Sequence, residues 1–142
     1  MSVYVDTSCA ASLYVADSHS SAAAAETAKS SKPLLLSSLG ELELTNALHL
    51  ALFRKELLPA DLSAALAAFR ADVDTGIFAI KPMSETIYAE ARRLSARWSA
   101  TLGTRSLDIL QVASAIVLEA EIFLTFDARQ KKLAKAARLV CR

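Results

Sequence analysis

The chain has 142 residues, 54% of them apolar and 22% charged, with a net charge of +1. That length is one domain's worth and buries a core without staples, and the composition excludes a disordered chain. Two cysteines, two histidines and three isolated glycines exclude a disulfide framework, a Cys- or His-rich zinc site and a glycine-rich phosphate loop.

Residues 3–5, Val-Tyr-Val, predict a strand at the very start. Asp6-Thr7-Ser8 ends it, and the apolar residues 9–16 predict a helix. The Ala-rich residues 19–30 predict a second short helix, broken by Pro33. Residues 34–37 then predict a strand buried on both faces. Ser38-Leu39-Gly40-Glu41 has the spacing of a capping box, opening a helix that runs to about Lys55. Pro59-Ala60-Asp61 opens the next, with Leu62, Leu66, Phe69 and Val73 at helical steps and Gly76 at its end. Residues 77–81 predict a third strand, closed by Pro82. One helix follows from Ser84 through Trp98 to about Gly103. Another covers residues 106–119, with Leu107, Leu110, Ala113, Ser114 and Val117 on its expected buried face. Residues 122–126 predict a fourth strand, 127–137 a short basic helix, and 139–141 a weak fifth strand.

Strands alternating with helices predict an α/β domain, a parallel sheet covered on both faces. No linker or repeat divides it, so residues 1–142 read as a single domain. The first residues lack the basic and long apolar segments of a secretory leader. Residues 109–126 are too interrupted by Gln111, Glu119 and Glu121 to span a membrane. The expected location is the cytoplasm, with both thiols reduced.

Open parallel sheets collect function at the carboxyl ends of their strands. Asp6 ends the first strand and Asp127 the fourth. Glu43 lies one turn into the helix after the second strand, and Asp108 in the first turn of the helix before the fourth. Singly, each acid has an ordinary explanation: Asp6 and Asp127 as helix caps, Asp108 as a dipole complement, Glu43 as a solvated position. Jointly they converge on one end of the sheet. Crowded carboxylates repel, and a hard divalent cation relieves them; oxygen-only ligands select magnesium or manganese over zinc. Such a metal suits phosphodiester hydrolysis without a nucleophilic side chain.

Four segments carry a resemblance to a known family. They are Val-Asp-Thr-Ser at 5–8, Glu-Leu-Thr-Asn-Ala-Leu at 43–48, Arg-Ser-Leu-Asp-Ile-Leu-Gln-Val-Ala-Ser-Ala at 105–115 and Phe-Leu-Thr-Phe-Asp-Ala-Arg-Gln at 123–130. In order and spacing the chain resembles a PIN domain of the VapC toxin type along essentially its whole length. The resemblance implies a three-layer α/β/α PIN-like fold with a five-stranded parallel sheet. It implies a magnesium- or manganese-dependent endoribonuclease, the toxin of a type II toxin–antitoxin pair. Asp6, Glu43, Asp108 and Asp127 fall on the family's acidic quartet. Asp6 and Asp108 are then the direct metal ligands, and Glu43 and Asp127 complete the shell and orient the attacking water. Ser8 and Thr125 fall on hydroxyl positions that support the first and last acids. Gln111 departs from the histidine often found three residues after the third acid; the expectation is a plain polar helix position.

Residues 1–91 carry a net charge of −5 and residues 92–142 a net of +6. Arg105 and Arg129, each within three residues of an acid, are the expected RNA contacts. The resemblance also implies a cognate antitoxin and a homodimer. Leu48, Leu52, Leu57 and Leu58, with Leu62, Leu66 and Phe69, are candidate apolar surface for either. Two alternatives are a PIN-fold RNA-processing nuclease that is not a toxin and a non-catalytic PIN-fold interaction module. A receiver-like domain would need an acidic pair at the first strand, which Asp6-Thr7-Ser8 lacks.

Overall fold

The computed structural model describes residues 1–142. Strands β1 (Val3–Val5), β2 (Leu34–Ser37), β3 (Phe78–Lys81), β4 (Ile122–Leu124) and β5 (Val140–Cys141) form one parallel sheet. Their order is β3-β2-β1-β4-β5. Helices α1 (Thr7–Tyr14), α2 (Ser20–Thr27), α3 (Ser38–Phe53) and α4 (Pro59–Asp74) cover one face. The other face carries α5 (Glu85–Leu94), a π turn (Ser95–Ser99), α6 (Ala100–Leu102), α7 (Ser106–Val117) and α8 (Ala128–Ala136). The α/β/α architecture expected from the sequence is therefore present.

The period-two alternation of the central strands divides the core. Val3, Val5, Ile122 and Leu124 point to the α1–α4 side, where they meet Leu44, Leu48, Leu62 and Phe69. Tyr4 and Phe123 point to the α5–α8 side, among Ile87, Leu94, Val112 and Leu133. Their rings stack at 5.7 Å across neighbouring strands, worth about 0.5–1.5 kcal/mol beyond their burial. Leu48, Leu62 and Phe69 are thus core, not surface, whereas Leu58 is 68% and Phe53 82% exposed. No helix is long and apolar enough to cross a membrane.

Several elements differ from the sequence expectation. The cap of α3 is Ser37, whose Oγ accepts from Gly40 N at 3.0 Å; Ser38 Oγ instead accepts from Met83 N. The helix after β3 is not continuous to Gly103. It passes through the π turn and ends at Gly103 in the left-handed region, with φ +64°. The buried face of α7 is Ile109 and 111–115, and Leu107 is half-exposed. This helix is enclosed by α5, α8 and the sheet, so burial is broad and polar residues fall inside it. Finally, β4 stops at Leu124, not at 126. Phe126 N and Asp127 N donate to Ser8 Oγ and Thr125 Oγ1, side-chain bonds that turn the chain into α8.

Strands β1 to β3 run outward in one direction and β4 to β5 in the other. The order reverses between β1 and β4, and the crevice at that reversal is where open parallel sheets bind ligands. Val5 pairs with Leu124, so the next residues, Asp6 and Thr125, meet at the mouth of the crevice.

Candidate active site

Asp6 is 3% exposed. Its Oδ1 accepts from Cys9 N at 3.1 Å, capping α1, and from Ser8 Oγ at 2.7 Å. Its Oδ2 accepts from Thr125 Oγ1. The two hydroxyls singled out in the sequence are therefore both on this carboxylate. Burial pushes the Asp6 carboxyl above the ordinary range against these donors, and the charge of Asp127 adds to the rise.

Asp127 caps α8, with Oδ1 accepting from Arg129 N at 2.7 Å and Gln130 N at 3.2 Å. With Gln130 three residues on, Asp127 has the spacing of a capping box, but only half of it is made, because Asp127 N donates to Thr125 Oγ1. The Gln130 side chain is left 3% exposed, with Oε1 buried and unpartnered.

Asp108 sits in the first turn of α7, partly buried. Desolvation and Asp127 raise its carboxyl, and the guanidinium groups of Arg105 and Arg129 pull it back. Both arginines are exposed.

Glu43 comes from α3, on the opposite side of the sheet. It is held by Gln111, whose Nε2 donates to Glu43 Oε1 at 2.5 Å. Burial raises Glu43, with Asp108 contributing. Gln111 is not a plain polar helix position: it is 2% exposed. Its Oε1 accepts from Tyr4 Oη, and its Nε2 also faces Thr7 Oγ1 at 3.4 Å. The single Tyr4 proton goes to that carboxamide oxygen, so Ser37 Oγ, 3.0 Å away, donates to Tyr4 in turn. Burial keeps the Tyr4 phenol protonated, its pKa pushed up to about 12. A chain of hydrogen bonds thus runs from the α3 cap to Glu43.

Asp6, Glu43, Asp108 and Asp127 line one pocket of about 270 Å³ with Thr7, Ser8, Gln111 and Gln130, and no apolar residue joins them. No three carboxylates close into a ligand cage as the side chains stand. Mutual repulsion opposes such closure, and hydrogen bonds already engage both oxygens of Asp6. The donor chemistry nonetheless fits a hard divalent cation: four carboxylates and the unpaired Gln130 Oε1, all oxygen. The sequence reading missed Tyr4, Thr7, Gln111 and Gln130. Gln111 was findable in part, since three residues after Asp108 is the same helix face.

Asp6, Glu43 and Asp108 all hold protons more tightly in the folded chain than their ordinary values allow. Between the ordinary and the raised values the native state binds more protons than the unfolded one, so stability falls as pH rises. In chelator, the melting midpoint is expected to climb as pH drops from about 7 toward about 5. Magnesium or manganese added at neutral pH is expected to raise it too. Scanning fluorimetry across that range checks both; a midpoint that rises with pH, indifferent to cation, contradicts the reading.

A PIN domain family model matches residues 3–136. No curated protein matches the chain. Solved structures share its fold at low identity. VapC20 of Mycobacterium tuberculosis, described as a sarcin-ricin loop cleaving toxin, has a TM-score of 0.72 and 19% identity, covering 98% of this chain and 97% of that one. FitAcB from Neisseria gonorrhoeae has a TM-score of 0.69 and 17% identity over 98% and 95% of the two chains. VapBC2 from Rickettsia felis, bound to a DNA fragment from its promoter, has 0.70 and 16% over 100% and 98%.

Proposed function

The chain belongs to the PIN domain family, and from that premise we propose that it is a metal-dependent endoribonuclease, the toxin of a toxin–antitoxin pair. The observation that carries this is the all-polar pocket where four carboxylates from four segments meet at the switch point of the sheet. The likeness in fold to a toxin described as cleaving the sarcin-ricin loop supports RNA as the substrate class.

In this reading Asp6 and Asp108 would hold magnesium or manganese, with Glu43 and Asp127 completing the shell. Such an ion supplies activation of water and neutralisation of phosphate charge. Ser8, Thr125 and Cys9 N keep Asp6 in one orientation, so its reorganisation is small. Gln111 keeps Glu43 turned into the pocket from the far side of the sheet. Glu43 and Asp127 would orient the attacking water; its oxygen bonds to phosphorus and loses a proton to solvent, and the ester oxygen leaves and takes up a proton from solvent. Arg105 and Arg129 draw the flanking phosphates to an acidic pocket that would otherwise repel them.

The proposed partners are RNA, a cognate antitoxin and a second copy of the chain, in the cytoplasm. A groove of about 560 Å³ between α1 and α4, lined by Leu13, Tyr14, Leu57 and small alanines with Glu56 and Asp61 beside them, suits an amphipathic antitoxin segment. The test incubates the purified chain, freed of any antitoxin, with a mixed RNA pool in magnesium, in manganese and in chelator. Cleavage is expected only with metal. A folded, metal-binding chain that cleaves no RNA supports the non-catalytic module instead.

A further inference from the structure

A second pocket lies on the α5–α8 face of the sheet, at the end of α8 opposite to Asp127. It encloses about 480 Å³ and is lined by Arg93, Arg97, Trp98, Lys135 and Arg138 with three apolar residues. No acidic side chain lines it. Arg93 is bound to Glu90 on its own helix, whereas Arg97, Lys135 and Arg138 make no ion pair. Such unneutralised convergence from two separate elements holds like charges together against repulsion, and an anion relieves it.

Two further features shape this pocket. Arg97 and Trp98 both lie in the π turn, a rare backbone form frequently found at functional sites. The Arg97 guanidinium lies 5.0 Å from the Trp98 ring centre, and this contact fixes a flexible cation in place. Trp98 itself packs against the core beside Leu133 and Ala137, so the platform is anchored.

The pocket is also connected to the acidic one. Arg129, Lys132 and Lys135 follow Asp127 at three-residue steps, all exposed, and Arg138 continues the series. Residues three apart are neighbours on a helix surface, so Arg129, Lys132 and Lys135 wind along α8 as a string of cations, and Arg138 lies just past its end. From Asp127 to Lys135 the helix rises roughly 12 Å. That is the reach of a few nucleotides of single-stranded RNA.

We propose that the Arg97–Trp98–Lys135–Arg138 pocket is a phosphate-binding subsite for the RNA strand, reached along α8 from the acidic pocket. The proposal rests on the nuclease reading for its ligand. It adds where the strand runs and which residues hold it away from the cut. Its recognition is of backbone phosphate, independent of base sequence.

The test measures binding, so that it does not depend on cleavage. The full chain carrying Asp108→Asn is titrated with a short labelled single-stranded RNA of mixed sequence, by anisotropy at stepped salt. On that background Arg97→Gln with Lys135→Gln is compared with Lys32→Gln with Arg54→Gln. The second pair removes the same charge from exposed positions elsewhere. The pocket pair is expected to weaken binding about tenfold and to flatten the slope of log K against log salt by roughly 1.4, two phosphates' worth. The control pair leaves both near the parent values. Thermal midpoints equal to the parent show that each variant is folded. Equal losses in both pairs, or none in the pocket pair, overturn the subsite and leave the nuclease reading standing. Loss of binding to an acidic peptide but not to RNA assigns the pocket to a protein and overturns it too. No RNA binding by the parent overturns the subsite and the nuclease reading together.

Discussion

Asp108→Asn is expected to lower metal-dependent RNA cleavage by roughly a hundredfold or more, with the fold intact. The carboxylate lies partly buried in the shared pocket, and its charge is already disfavoured by desolvation and by Asp127. An amide of the same shape keeps the volume and removes the charge. In a cation-free protein that relieves repulsion, so the melting midpoint stays level or rises. Loss of activity with no loss of stability is the signature of a residue kept for chemistry. Rates of RNA cleavage at saturating magnesium, beside the thermal midpoints of both proteins, check it. A variant that cleaves like its parent removes Asp108 from the machinery.

Gln111→Met has a different signature, because stability and activity are both expected to fall. The two side chains are close in volume, so the packing change is small. What is lost is the acceptor for the Tyr4 proton and the donor to Glu43, both inside the protein. Stranding buried polar groups costs about 1–3 kcal/mol. Tyr4 retains Ser37, which limits the loss at that end. Glu43 is free to swing away from the pocket, and cleavage is expected to drop about tenfold even where the protein is fully folded. Urea unfolding gives the first number and cleavage at a temperature well below the midpoint the second. Unchanged values in both would make the Gln111 contacts incidental.

The two variants divide the site by physical origin. Asp108 is surrounded by charges that act through space, so its replacement is felt electrostatically. Gln111 acts through directed bonds that link β1, α3 and α7, so its replacement is felt mechanically as well.

The sequence by itself determined the strands and the places where acids meet the sheet. Short β-branched and apolar runs such as Val3–Val5 and Leu34–Ser37 have little alternative to a buried strand. An acid that follows such a run, directly as Asp6 or after a short turn as Asp127, sits where the chain leaves the sheet, and in a parallel sheet all the strands' carboxyl ends share one edge. Asp6 and Asp127 were therefore legible from position alone. Glu43 and Asp108 were legible through the joint pattern, because each lies in the first two turns of a helix that starts at that edge.

Only the tertiary structure decided which polar residues turn inward. Gln111 and Gln130 look in sequence like solvated helix positions, and each has a local explanation that suffices. Gln111 is buried because α7 is enclosed by α5, α8 and the sheet, which no single-helix periodicity reveals, whereas Gln130 shares the one buried face of α8 with Leu133 and Ala134. The cap at Ser37 was likewise settled by Tyr4 and Gly40, and Ser38 by Met83 from across a loop. The π turn at Ser95–Ser99 leaves no trace in the apolar spacing. Local chemistry sets what each segment prefers, and contacts between distant segments choose among preferences too close in energy to be separated by the segment itself.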